Sequence, residues 1–246
     1  MKTTFKLFLL VAILVYLAFA FLDFSRQGDH TVCKEVRVTI ADSSHAGFIT
    51  PDEALRILRN AGQYPVGRRM SRIEGNAIEK ALKRNSFIES ASCYKAPNGV
   101  VNVLIEQRLP LMRVISDNGD DYYIDGRGNT MNPRGYVADI VVATGHISRQ
   151  YARRHLLPLG QFLHDNPFWD DQIEQIHVSE KRQVELSTRV GGQLVKLGTP
   201  DSLARKFRNL YAFYEKVMPQ VGWNKYTAIS VEHTTQIVCE KAHKKD

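Results

Sequence analysis

Side chains able to do covalent or metal chemistry are scattered along this 246-residue chain rather than grouped. No H-E-x-x-H, G-x-S-x-G or P-loop pattern occurs, so the usual frameworks for a zinc site, a nucleophile elbow or a phosphate cradle are missing. Gly126-Arg127-Gly128 lacks the third glycine and the helix of a dinucleotide fingerprint, and reads as a turn. Asp117, Asp120, Asp121 and Asp125 cluster without the alternation and distal Glu of a calcium loop, which fits a solvated hairpin better. The eight histidines never fall at i, i+4, and read as single surface residues. Asp170-Asp171 could serve acid–base work only opposite a cleft partner that the sequence does not reveal. Cys33, Cys93 and Cys239 are far apart and have no metal spacing, although a Cys33–Cys93 bridge is open to a chain outside the cytoplasm. The expectation is a non-enzyme, with no catalytic residues, metal, cofactor or small-molecule substrate.

Charge and composition narrow the class further. Hydrophobic residues make up 43% and charged residues 24%, which excludes a wholly disordered chain. The net charge is +7. Basic residues come as pairs, Arg68-Arg69, Arg153-Arg154, Lys181-Arg182 and Arg205-Lys206, without interleaved aromatics or a nucleic-acid-binding motif. They read as solvated faces, with weak attraction to anionic lipid or wall polymer as the next option. Nucleic acid is not an expected partner.

The elements that position these residues begin with an apolar run from Leu7 to Leu22, preceded by Lys2 and Lys6 and followed by Asp23. Its sixteen residues cover roughly 24 Å as a helix. With Phe5 and Phe24 counted and Lys6 snorkelling, the run is long enough for a short membrane span. The lysines place the amino terminus in the cytoplasm and the bulk of the chain outside. The competing reading is a cleaved signal peptide ending at Ala18-Phe19-Ala20, but Phe21 and Leu22 would then follow the cleavage site. A buried core helix is disfavoured, because no polar face interrupts the run.

A first folded unit follows. Val36, Val38 and Ile40 alternate with Arg37 and Thr39 as in a half-buried strand. Thr50-Pro51-Asp52-Glu53 and Ser71-Arg72-Ile73-Glu74 are two capping boxes, which predict a pair of helices. Leu55, Leu58 and Ala61 would line the first, and Ile73, Ala77, Ile78, Ala81 and Leu82 the second. Phe87–Tyr94 and Val100–Gln107 read as strands joined by the turn Pro97-Asn98-Gly99. Strand, helix, helix, strand, strand makes a three-stranded sheet with helices on one face and an edge open to an extended partner.

Pro110 marks a boundary, and the remainder is mostly strands. Ile140–Ala143, Ile173–Val178, Val184–Arg189 and Gln193–Leu197 are short apolar segments, with Gly191-Gly192 as a turn. Leu156–Leu163 is a helical patch limited by Pro158. Thr199-Pro200-Asp201 starts a longer helix with a core stripe of Leu203, Phe207, Leu210, Tyr211, Tyr214, Val217 and Met218, ended by Pro219. Thr227–Val231 and Gln236–Lys241 form a final extended segment. The fold class is α+β.

These residues resemble a family. A strand-helix-helix-strand-strand unit just beyond an amino-terminal anchor has the layout of a POTRA domain. Gln107-Arg108-Leu109-Pro110-Leu111-Met112-Arg113 and Tyr122-Tyr123-Ile124-Asp125-Gly126-Arg127-Gly128 resemble stretches of the bacterial division proteins FtsQ and DivIB. Asn85-Ser86-Phe87-Ile88, Val195-Lys196-Leu197-Gly198 and Gln236-Ile237-Val238-Cys239 match in the same order. The cytoplasmic tail, about six residues, is shorter than in many members, so no role is transferred to it.

The resemblance implies a cytoplasmic tail at 1–6, a transmembrane helix at 7–24, a POTRA domain at 30–108, a mostly antiparallel β domain with flanking helices at 109–241, and a tail at 242–246. It implies a single-pass protein of the cell inner membrane, at the division septum with its bulk in the periplasm. There it would recruit the membrane proteins FtsB and FtsL, and through them the septal wall synthases FtsW and FtsI. In that family the last strand recruits FtsB by strand addition. By position, the docking edge here is Glu232, His233, Thr235, Gln236, Ile237, Val238 and Cys239, with Arg205 on the preceding helix to pair an acidic group. Without the resemblance, the same segment is an ordinary strand with one solvated face. The alternatives from other classes are a POTRA-bearing secretion or outer-membrane assembly factor, which calls for a carboxy-terminal β-barrel, and a cell-wall hydrolase, which calls for a catalytic acid or metal site.

Overall fold

A computed structural model describes residues 11–19, 31–41, 48–133 and 135–242. Residues 11–19 are helical (α1). The remainder of the predicted span, 7–10 and 20–24, lies outside the described residues, as do the 1–6 tail and positions 243–246. Among the described residues no helix is long and apolar enough to cross a membrane. The chain divides into two compact units, Met1–Arg108 and Leu109–Asp246.

The first unit is built from β1 (Glu35–Ile40), α2 (Pro51–Asn60), α3 (Gly75–Lys83), β2 (Ile88–Lys95) and β3 (Val100–Gln107). The strands lie in the order β1-β3-β2, with β1 parallel and β2 antiparallel to β3. Thr50 caps α2 by accepting from the Glu53 N–H at 3.1 Å. Glu53 does not complete the box, because its carboxylate accepts from Arg56 at 2.8 Å. The second predicted box is also not formed: Met70–Arg72 is a 3-10 turn, and α3 starts at Gly75 behind Glu74 without a side-chain cap. Ala54 and Leu58 form the inner face of α2, with Leu55 and Ala61 only half-buried. Ile78, Ala81 and Leu82 of α3 and Val101, Val103 and Ile105 of β3 are all buried. Gly99 takes φ +83° in the β2–β3 turn, where a Cβ would sit 2.9 Å from the Val32 carbonyl oxygen.

The second unit is a nine-stranded sheet: β4 (Pro110–Ser116), β5 (Asp121–Asp125), β6 (Thr130–Met131), β7 (Val142–Gly145), β8 (Ile173–Val178), β9 (Val184–Thr188), β10 (Leu194–Gly198), β11 (Tyr226–Ser230) and β12 (Val238–Lys241). The order is β12-β11-β10-β9-β8-β7-β4-β5-β6. The sheet is mixed, because β4–β7, β7–β8 and β10–β11 pair in parallel. Helices supply the crossovers from β7 to β8 and from β10 to β11, while the β5–β6 hairpin lies between β4 and β7. The helices are α4 (Arg149–Tyr151), a π turn (Ala152–Leu156) and α5 (Leu157–His164), then α6 (Pro167–Gln172), α7 (Leu203–Lys216) and α8 (Met218–Val221).

Two helix readings need correction. Pro158 does not limit the first helical patch, since the helical run extends back to Arg149. The π turn just before it re-routes the backbone bonds, so the missing proline N–H is accommodated. Gly160 lets this run lie close to β4, since a Cβ there would displace the end of the Met112 side chain. α7 starts at Leu203, later than the Thr-Pro-Asp signal, and Pro219 sits in the first turn of α8 rather than ending α7.

Strand alternation sets the two faces of the sheet. Val114, Ala143, Ile176, Leu186, Val195 and Ile229 turn toward the helices and join Leu156, Leu159, Phe207 and Leu210 in one core. Thr144, Gln175, Glu185, Lys196 and Ser230 are less buried and are offset by one residue, onto the opposite face.

Candidate functional site

Two of the clustered aspartates are held by arginines outside the basic pairs. Asp120 accepts from Arg149 at 2.9 Å, and Asp121 from Arg113 at 2.8 Å. These guanidinium partners lower both carboxyls below the usual range. Asp125 is buried and accepts from the Arg127 and Asn129 backbone N–H groups, which fixes the β5–β6 turn. Among the described residues no group of His, Cys, Asp and Glu could hold a metal ion. Cys33, Cys93 and Cys239 are free thiols. Cys33 precedes β1 and Cys93 lies on β2. Burial raises all three thiols, Cys93 to about 11.

The basic pair Arg205-Lys206 is not one solvated face. Arg205 is exposed, but Lys206 is only 1% exposed. Its ammonium donates to the carbonyl oxygens of Leu197 (3.0 Å) and Thr199 (2.7 Å), with Asp201 at 3.4 Å. The head ties the start of α7 to the end of β10, while the stem is buried with it. Nothing in an Arg-Lys pair distinguishes the buried member, although the helical stripe places position 206 beside the core position 207.

The predicted docking segment is built on the far end of the sheet. β10, α7 and β11 form a parallel crossover, after which residues 231–237 turn the chain back and β12 pairs antiparallel to β11. The strand is shorter than expected. Glu232, His233, Thr235 and Gln236 are exposed in the turning segment, and only Val238 onward joins the sheet. Asn209 of α7 explains this, because its amide donates to the Thr234 carbonyl at 2.8 Å and holds the segment toward the helix. Asn209 was not legible as a site residue. It lies one turn beyond Arg205 and so on the same helical face.

Side chains alternate along β12. Ile237 and Cys239 pack against the core, and Val238 is 52% exposed. Glu240 reaches across β11 to Lys196, whose ammonium it stabilises and raises. Ala242 donates back to the Lys225 carbonyl at 3.1 Å. By two-residue alternation, Glu240 and Val238 also turn their N–H groups to β11, and Cys239 and Lys241 present theirs to the open side. No described strand pairs with that side. The arrangement can therefore accept an added strand through backbone hydrogen bonds.

Residues 109–240 match the family model described as FtsQ/DivIB, C-terminal related, and residues 31–106 match that of the POTRA-like domain. The chain is similar to a cell division protein FtsQ of Rhodothermus marinus, with 24% identity over 223 residues, covering 85% of this chain and 80% of the relative.

Proposed function

The chain belongs to the FtsQ/DivIB family of cell division proteins, and on that premise we propose that it scaffolds the divisome by lending the β12 edge to a partner strand. The partner is FtsB, held with FtsL, and the pair connects this protein to the septal synthases FtsW and FtsI. The observation that carries the reading is the open side of β12, with the Cys239 and Lys241 N–H groups turned outward. The 7–24 segment anchors the chain in the inner membrane with its bulk in the periplasm, which confines both partners to one plane and raises their effective concentration. Residues Glu232 to Gln236 flank the added strand, and Arg205 is the cation available to an acidic group on it.

Proline tests the edge, because an edge strand tolerates proline where the N–H faces outward. Lys241→Pro is expected to fold, by circular dichroism, and to lose FtsB binding in a membrane pull-down. Ile237→Pro, at the entry to the strand, is expected to weaken binding too. Unchanged FtsB affinity in folded Lys241→Pro removes the edge from the account. The secretion-factor reading is not favoured, since the second unit is an open sheet with helices rather than a barrel.

A further inference from the structure

On the helix side of the second unit, α5, α6 and the first half of α7 frame an open groove of about 410 Å³. Tyr211, assigned to the core by its helical spacing, is instead 45% exposed on the groove wall. Phe168 faces it, 43% exposed, with the two rings edge-on at 5.1 Å between centroids. The floor is Trp169, only 5% exposed and edge-on to Phe207 at 4.9 Å. Ala204, Phe207, Arg208 and Tyr211 fall at i, i+3, i+4 and i+7, so one face of α7 supplies a whole wall.

Arg208 is the sole charged side chain lining the groove. It is exposed and forms no ion pair among the described residues. Two large aromatics kept at the surface beside an unpaired arginine are the residue types that dominate binding at protein interfaces. The groove is open along its length, whereas small-molecule sites bury most of their ligand. An apolar floor with one cation at the rim complements a bulky apolar side chain followed by a carboxylate, which a guanidinium can hold through two hydrogen bonds. We propose that this groove docks an acidic, amphipathic peptide segment of a partner chain, with its apolar side chain over Trp169 and its carboxylate on Arg208. The site is separate from the β12 edge, because none of the residues that line the groove belongs to β12 or to the turn before it.

The test is calorimetric titration of the full chain in detergent micelles. The probes are a short capped peptide centred on Leu-Phe-Glu-Glu and its twins centred on Leu-Phe-Gln-Gln and Leu-Phe-Lys-Lys. The acidic peptide is expected to bind saturably, at least tenfold more tightly than the amide twin, and to weaken as salt is added. Arg208→Glu, an exposed change that should leave the fold intact, is expected to lose the acidic peptide and gain the lysine twin. Lys241→Pro should leave the acidic peptide bound as before, whatever it does to the edge. Equal affinity for acidic and amide peptides overturns the proposal, and so does the absence of saturable binding. A concentration-dependent dimer that Tyr211→Glu breaks would assign the groove to a second copy and overturn it as well.

Discussion

The strands β2 and β12 are both sheet edges, but only one is left open. β2 has eight residues and would be the better template by length. Its centre is closed, because the Cys93 N–H donates to the Glu79 carboxylate of α3 at 2.8 Å. The start of α3 presses on the same point, where a Cβ on Gly75 would stand 3.3 Å from the Cys93 carbonyl oxygen. The Lys95 ammonium ties the end of the strand to the Met70 carbonyl at 2.9 Å. β12 has four residues, and its anchors all come from the inner side: β11, Lys196 and, through Thr234, Asn209. Covering an edge with a helix side chain is one way to suppress unwanted pairing, so the contrast separates a protected edge from an available one. Of the two edges of the first unit, the β2 edge is thus blocked at Cys93, while β1 pairs with β3 alone among the described strands.

The largest expected effect is at the foundation of the available edge. Lys206→Met keeps the apolar stem but leaves the Leu197 and Thr199 carbonyls without their charged donor. A loss of about 3 kcal/mol in the stability of the second unit is expected. Urea denaturation measures it, and a change below about 1 kcal/mol would mean that α7 does not depend on this tie.

A matched pair of prolines sharpens the comparison at the next scale. Cys93→Pro removes a donor that a buried-side carboxylate uses, and should cost about 2 kcal/mol. Lys241→Pro removes a donor turned to the open side, and should cost under about 1 kcal/mol. Equal costs would erase the distinction between the two edges. Asn209→Ala is smaller still, since it removes one neutral hydrogen bond worth about 1 kcal/mol. Its readout is local: hydrogen exchange should quicken at Val238–Lys241 and stay unchanged in β2.

Much of this architecture was legible because it follows from local chemistry. Thr50 caps α2 as its spacing implies, and Asn98-Gly99 turns β2 into β3. The alternation in Val36–Ile40 and Val101–Ile105 places those strands side by side. The losses came where distant partners decide. Ser71–Glu74 has the form of a capping box, yet a 3-10 turn occupies it. The parallel pairing of β4 with β7 joins strands separated by the β5–β6 hairpin, and that of β10 with β11 joins strands separated by helices, which no local pattern reports. For the site, the position of the last strand was legible, but its length was not. Asn209, twenty-five residues before Thr234, sets where the turn ends and the strand begins. Periodicity likewise put Tyr211 in the core, because the neighbouring α6 that leaves it at a groove wall was itself unrecognised.

The smallest effect probes the closed edge through its own thiol. Burial, and then the negative charge of Glu79, push Cys93 up to about 11 from an ordinary 9.0. A thiol raised in the folded state binds its proton more tightly there than in the unfolded chain. Its contribution to stability is therefore complete below pH 9 and is lost as pH climbs toward 11. Glu79→Gln keeps an oxygen to accept the Cys93 N–H but removes the charge. The Cys93 thiol should then titrate lower, while the strand stays covered. Alkylation of Cys93 followed by mass spectrometry between pH 8 and 11 reads the shift. A parallel assay for self-association checks the cover, since Glu79→Ala, which removes both oxygens, is the variant expected to expose β2. If Glu79→Gln leaves the alkylation profile unmoved, the carboxylate is not poised at the centre of β2, and the closure of that edge would have to come from the backbone of α3 alone.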